Sequence, residues 1–204
     1  MTPLVKICGL TDLVAVTAAV DAGADAIGFV FAESPRRVSV QHAAEISVDV
    51  PSGIKRVAVM LHPSIDDWLQ VKSDFEPDVL QTDLADFEYL DVPGEIEKWP
   101  VLREGAMPAG DSLPDMFVYE GTASGSGDTV DWRLAAQLAK RGRMILAGGL
   151  SIENVTAAIR QVAPFGVDVS SGVESAPGEK DTAKISAFID AARTAGSATE
   201  EAMV

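Results

Sequence analysis

Short apolar runs alternate with amphipathic helical stretches along the whole chain, and this alternation limits the fold to a parallel sheet with helical crossovers. The strand candidates are Leu4–Cys8, Ala26–Phe31, Arg56–Leu61, Val79–Gln81, Val101–Arg103, Met116–Glu120, Met144–Ala147 and Val167–Ser170. Between them lie the helix candidates Thr11–Ala22, Val40–Val48, Ile65–Lys72, Trp132–Lys140, Ile152–Gln161 and Thr182–Ala195. Thr11, Ser39, Ser64, Asp131, Ser151 and Asp181 stand where N-caps are needed, since their side-chain oxygens can accept from the first unpaired amides of a helix. Strand starts fall roughly 15 to 30 residues apart, the length of one strand–helix unit. Eight units in 204 residues, with no break in composition, predict one small α/β domain, a (β/α)8 or TIM barrel over residues 1–195, with a flexible tail at 196–204. An open doubly wound sheet is the alternative. The segment 104–115 holds two prolines and two glycines, so helix 5 is expected to be reduced or missing; 84–97 is also weak as a helix.

Composition narrows the partners. Sixteen basic residues against 31 acidic ones give a net charge of −15, a field that repels nucleic acid and anionic membranes. Between Ser64 and Trp99, eleven acids face only Lys72 and Lys98, so this stretch supplies −9 of the −15. It reads as a solvated face, with an acidic docking surface as the alternative. A single cysteine excludes an internal disulfide and a multi-cysteine metal site, and suits a reducing, cytoplasmic setting. No apolar run approaches the roughly 20 residues of a membrane span, and the N-terminus does not read as a secretory signal.

In a parallel barrel the outward strand face packs on helices, so charged strand residues are expected to point inward. Lys6 and Cys8, Arg103, Glu120, and Asp168 with Ser170 all fall near the carboxyl ends of strands, where barrel active sites lie. A Lys6–Asp168 ion pair near the core is the plainer reading of two of them. Gly148-Gly149 after the seventh strand and Ser170-Ser171-Gly172 after the eighth could offer N–H and hydroxyl donors to a phosphate.

Val5-Lys6-Ile7-Cys8-Gly9-Leu10-Thr11, Gly23 to Phe31, Ser34-Pro35-Arg36-Arg37-Val38-Ser39 and Gly125-Ser126-Gly127 together resemble the phosphoribosylanthranilate isomerase family of tryptophan biosynthesis. So do Val130-Asp131-Trp132, Leu146 to Leu150 with Glu153-Asn154-Val155, Val167 to Glu174 and Gly178-Glu179-Lys180-Asp181. The resemblance implies an aldose–ketose isomerase that performs an Amadori rearrangement on a small phosphorylated substrate, with no metal or organic cofactor. It implies Cys8 as general base, Arg36 (or, less well placed, Arg37) on the anthranilate carboxylate, and Gly148, Gly149, Ser170 and Ser171 on the phosphate. Lys6, Gln81, Arg103, Asp168 and Gly172 complete the expected binding residues. Lys6 is expected to favour the Cys8 thiolate.

Three departures mark a divergent subgroup. Glu120 stands where the family places an aspartate general acid; desolvation is expected to keep it protonated, and Asp128 is the reserve candidate. The fourth-strand Val-Gln-Leu-His-Gly becomes Leu80-Gln81-Thr82-Asp83-Leu84, and the fifth helix is thin. The apolar surface it leaves would suit a homodimer. His62 reads as a loop residue, His42 as solvent-facing, and Trp68, Trp99 and Trp132 as packing. The rival functions are a histidine-pathway or dual-substrate sugar-phosphate isomerase, and a non-catalytic sugar-phosphate-binding barrel.

Overall fold

Eight parallel strands close on themselves in chain order: β1 (Leu4–Cys8), β2 (Ala26–Val30), β3 (Lys55–Val59), β4 (Val79–Asp83), β5 (Glu97–Arg103), β6 (Met116–Glu120), β7 (Arg143–Leu146) and β8 (Gly166–Val169). The barrel is a (β/α)8 fold, and the open-sheet alternative is excluded because β8 pairs with β1, Leu4 opposite Gly166 and Ile7 opposite Val169. The computed structural model describes residues 2–106, 113–122 and 129–201.

The period of two sorts the strand residues into two cores. Ala26, Val57, Val79, Trp99, Val101, Met116, Val118 and Ile145 fill the barrel interior. Their neighbours in sequence, among them Ile27, Ala58, Leu80, Leu102, Phe117, Tyr119 and Leu146, face the helices. Those helices are α1 (Leu13–Asp21), α2 (Val40–Ile46), α3 (Ile65–Asp74), α4 (Trp132–Leu138), α5 (Val155–Val162) and α6 (Thr182–Glu201). α6 buries Ile185, Phe188, Ile189, Ala192 and Ala195 at helical spacing and packs on α1 and α5. None of these helices is long and apolar enough to cross a membrane.

The thin units fall where the prolines and glycines placed them. A 3-10 turn at Leu84–Glu88 replaces a helix between β4 and β5, and no helix occurs between β5 and β6 among the described residues. Several boundaries differ from the sequence reading. α1 is capped by Asp12, whose side chain accepts from the Ala15 amide, while Thr11 Oγ1 donates to the Gly178 carbonyl at 3.1 Å. α5 starts after Asn154 rather than at Ser151. β5 extends back through Pro100 to Glu97, because a proline forfeits only its own N–H. α6 continues past Ala195 to Glu201, so the expected tail begins inside a helix. An antiparallel pair, β9 (Glu174–Ala176) and β10 (Glu179–Lys180), follows β8 and was not anticipated.

Candidate active site

On most of the strands the inward positions turn from apolar to polar toward the carboxyl end. Val79 gives way to Gln81 and Asp83, Val101 to Arg103, Val118 to Glu120, and Gly166 to Asp168 and Ser170. The resulting cavity of about 160 Å³ is lined by Cys8, Arg36, Gln81, Arg103, Glu120, Gly148, Gly149, Asp168, Ser170 and Ser171. Two expected binding residues stand behind its wall. Lys6 lies beneath it, fully buried, and Gly172 packs where a Cβ would meet the Leu150 carbonyl oxygen at 2.0 Å. That contact brings the loop after β8 against the loop after β7, and only glycine permits it.

Lys6 Nζ donates to Asp168 Oδ2 at 2.9 Å, the ion pair that period and charge had suggested. Burial pulls the Lys6 ammonium down, but the charges of Asp168 and Cys8 outweigh it and hold the ammonium above its ordinary value. Cys8 is 7 % exposed. The Lys6 charge favours the thiolate, as expected, but burial pushes the thiol up by more than this charge offsets. Asp168 Oδ1 and Gln81 Oε1 are buried with no hydrogen-bond partner among the described residues, and both residues line the cavity. Two such acceptors cost free energy until a ligand donates to them.

Arg36 is clamped rather than surface-paired. Its Nε and Nη2 donate to Glu174 Oε1 and Oε2 at 2.7 and 2.9 Å, a bidentate pair. The backbone of Gly9 allows the stem to cross: Gly9 has φ +74°, and a Cβ there would meet Arg36 Cδ at 2.6 Å. Lys180 Nζ donates to Glu174 Oε1 at 2.7 Å and to the Ser170 carbonyl at 3.0 Å, tying the loop after β8 to the same carboxylate. Burial lowers the Lys180 ammonium in spite of Glu174. Burial acts to raise Glu174, but its bonds from Arg36 and Lys180 win and hold it below the usual carboxylate range. Across the cavity, Asn154 braces the other loop, accepting from the Ser151 amide and donating to the Gly149 carbonyl, each at 2.8 Å.

Glu120, expected to be desolvated, is largely buried at 14 % side-chain exposure and faces a cation. Its Oε1 accepts from Arg103 Nη1, while Arg103 Nη2 and Nε reach Asp83 Oδ1 and Oδ2 at 2.7 and 3.3 Å. Asp83 and the buried Asp86 are therefore drawn out of the acidic stretch read as a solvated face. Asp86 accepts from Thr82 Oγ1 and from the His62 amide, and its Oδ1 lies 2.9 Å from His62 Nδ1. The loop position of His62 was expected; its link to the strand-end charges was not. His42 is exposed, with Nε2 2.9 Å from the Thr11 carbonyl. Asp128, and the Gly125-Ser126-Gly127 motif, lie outside the described residues.

The family model of N-(5'phosphoribosyl)anthranilate (PRA) isomerase matches residues 5–191 of this chain. The chain belongs to the PRA isomerase family. The Listeria innocua N-(5'-phosphoribosyl)anthranilate isomerase is 39 % identical, over 95 % of this chain and 99 % of that protein. Among solved structures, TrpF from Jonesia denitrificans superposes with a TM-score of 0.80 at 36 % identity, covering 95 % of this chain and 98 % of the other. A family member crystallised with reduced 1-(o-carboxyphenylamino)-1-deoxyribulose 5-phosphate gives a TM-score of 0.78 at 33 % identity, covering 95 % of this chain and all of the other. Within this PRA isomerase barrel, sequence reasoning missed Glu174, Lys180 and Asn154 as site residues. All three fall inside motifs that carried the resemblance, so the signal was present without a role attached.

Proposed function

We propose that the chain is a PRA isomerase, converting N-(5′-phosphoribosyl)anthranilate into 1-(2-carboxyphenylamino)-1-deoxyribulose 5-phosphate. The observation that carries this reading is the meeting of Cys8, from β1, and Glu120, from β6, in one cavity of a PRA isomerase barrel. Glu120 gives a proton to the furanose oxygen as the C1′–O bond breaks, and the anilino nitrogen lone pair forms the C1′ iminium. Cys8 takes the C2′ proton; that C–H electron pair becomes the C1′–C2′ double bond of an enolamine. Tautomerisation places a proton on C1′ and a carbonyl at C2′. The hydrogens are rearranged within one molecule, so no external oxidant or reductant is consumed. The cationic iminium adds a positive charge beside the sulfur, which favours the thiolate that the reaction requires.

In this reading Arg36, held from behind by Glu174, receives the anthranilate carboxylate. The turns at Gly148-Gly149 and Ser170-Ser171 receive the phosphate, and the unpartnered oxygens of Gln81 and Asp168 accept from sugar hydroxyls. The Glu120 carboxyl, in place of aspartate, is one methylene longer, and its contact with Arg103 fixes where that extra length goes. The histidine-pathway reaction is the weaker reading, since it asks for aspartates where β1 ends in Cys8 and β5 in Arg103. The test mixes purified protein with enzymatically generated substrate and follows the loss of anthranilate-type fluorescence. Turnover is expected for the wild type, with losses of about 100-fold or more in Cys8→Ser and in Glu120→Gln. No wild-type turnover overturns the activity, and full activity in Glu120→Gln moves the acid elsewhere.

A further inference from the structure

The β9–β10 hairpin joins the loop after β8 to the loop that carries Arg36. At its turn Gly178 sits against the Arg36 loop, where a Cβ would meet the Pro35 carbonyl oxygen at 2.6 Å. Glu174 opens the hairpin and Lys180 ends it. The Lys180 side chain is fully buried and stands behind the cavity wall. Its ammonium has three hydrogens, and three acceptors surround it: Glu174 Oε1 at 2.7 Å, the Ser170 carbonyl at 3.0 Å and Ser170 Oγ at 3.4 Å. Glu174 in turn accepts from Arg36 Nε and Nη2. The Glu174 backbone carbonyl accepts from Lys184 Nζ at 2.7 Å, which holds the hairpin on α6. The two ends of this chain of contacts adjoin over Gly9. Arg36 Cδ and Ser170 Oγ stand 2.6 and 3.1 Å from the place a Cβ would take there.

We propose that Lys180 is a positioning residue for the ligand phosphate: it turns the donors of the Ser170-Ser171 loop toward the cavity and ties that loop, through Glu174, to Arg36. This rests on the proposed function, in which that loop receives the phosphate and Arg36 the carboxylate. A trans peptide points its carbonyl and the following N–H in opposite directions. With the Ser170 carbonyl drawn back to Lys180, the Ser171 N–H is aimed away from it, to the cavity side. Ser170 Oγ accepts from the same ammonium, so its own hydrogen is left to donate to a ligand. Lys180 is not itself a phosphate ligand, since protein acceptors enclose its Nζ. Glu174 keeps the ammonium in place, because a buried cation without a counter-charge is costly. One carboxylate thus sets both anion-receiving ends of the cavity.

The test measures binding of inorganic phosphate to the full-length protein by 31P NMR, beside steady-state kinetics on the substrate. Lys180→Met is expected to weaken phosphate about tenfold, the scale of one charge-assisted hydrogen bond, and to raise KM with a smaller change in kcat. Loss of long-range attraction would also weaken an anion, so Glu174→Gln supplies the sign. Removing a negative charge beside an anion site tightens phosphate if charge alone operates. Under the proposal Glu174→Gln weakens phosphate, because one amide oxygen cannot hold both Arg36 and Lys180 and the loop loses its anchor. In the Lys180→Met background Glu174→Gln has no ammonium to release. Only the lost charge remains, and phosphate is bound no more weakly than in Lys180→Met alone. Phosphate affinity unmoved by Lys180→Met, tighter or unmoved binding in Glu174→Gln, or a Glu174→Gln loss of equal size in both backgrounds each overturns the proposal. A merely structural role would lower the melting temperature and leave the phosphate affinity of the folded protein unmoved. If Lys180→Met does not fold, Glu174→Gln decides alone by the same sign. Wild-type protein that binds no inorganic phosphate rejects the phosphate site of the proposed function and this proposal with it, whereas wild-type binding beside unmoved variants rejects only the role of Lys180.

Discussion

At the scale of single residues, the buried cations of this barrel are each matched to a carboxylate before any ligand arrives. Lys6 holds Asp168, Arg36 and Lys180 share Glu174, and Arg103 joins Asp83 to Glu120. A guanidinium fixed from behind loses little rotamer freedom when it meets a ligand carboxylate, so under the proposed function Glu174 is expected to act on substrate affinity through Arg36. Glu174→Gln removes the charge from both Arg36 and Lys180 while preserving shape. The expected outcome is a substrate KM raised about tenfold, near the 1.5–3 kcal/mol of one charge-assisted hydrogen bond, with a smaller change in kcat. Steady-state kinetics check this, and an unchanged KM removes Glu174 from the binding account.

At the scale of elements, the carboxyl end of the barrel depends on two loops that touch backbone to backbone. Gly172, in the 3-10 turn Ser171–Val173, sits against the Leu150 carbonyl with no space for a methyl group. Gly172→Ala must push the loop after β8 away from the loop after β7. The predicted cost is about 1–3 kcal/mol of stability, typical of overpacking, together with weaker competition by inorganic phosphate against substrate. Thermal melts and phosphate inhibition read the two effects separately. The neighbouring helices show how far local rules reach. Ser64 caps α3 in a full capping box with Asp67, as its sequence requires, whereas Thr11 yields the cap of α1 to Asp12 and serves the β9–β10 hairpin instead.

At the scale of the molecule, the net charge of −15 coexists with carboxylates that are stabilised by folding. Burial opposes ionisation of Asp86, Glu97 and Glu174, but hydrogen bonds from His62 and Thr82, from Lys55 and Trp99, and from Arg36 and Lys180 respectively prevail and lower all three. A carboxyl with a lowered folded-state pKa contributes stability that is fully present above the unfolded value and lost as pH falls through the folded one. Acidification also relieves the repulsion among surface acids, a term that physiological salt screens over about 8 Å. In such salt the melting temperature is therefore expected to fall as the pH drops below about 4.5, the ordinary glutamate value, and Glu174→Gln should flatten part of that fall. A melting temperature that rises on acidification would mean that general repulsion dominates the specific pairs.

The spacing of apolar runs and the placement of prolines and glycines determined the barrel and its thin units, because strand–helix alternation and helix breaking are local properties. The period of two likewise put Lys6, Cys8, Arg103, Glu120 and Asp168 on the inward face, since pleat geometry needs no knowledge of the partner strand. Only the closed barrel decided what those residues meet. Asp83 and Asp86 read as part of a solvated acidic run until β5 and the loop after β3 brought Arg103 and His62 against them. Glu174 and Lys180 gained their roles when the hairpin after β8 folded back toward Arg36, which is 138 residues away from Glu174 in the chain. Burial of the Cys8 sulfur, which reverses the effect expected of Lys6 alone, is likewise a property of the assembled interior: desolvation depends on every neighbouring element, and no sequence window contains them all.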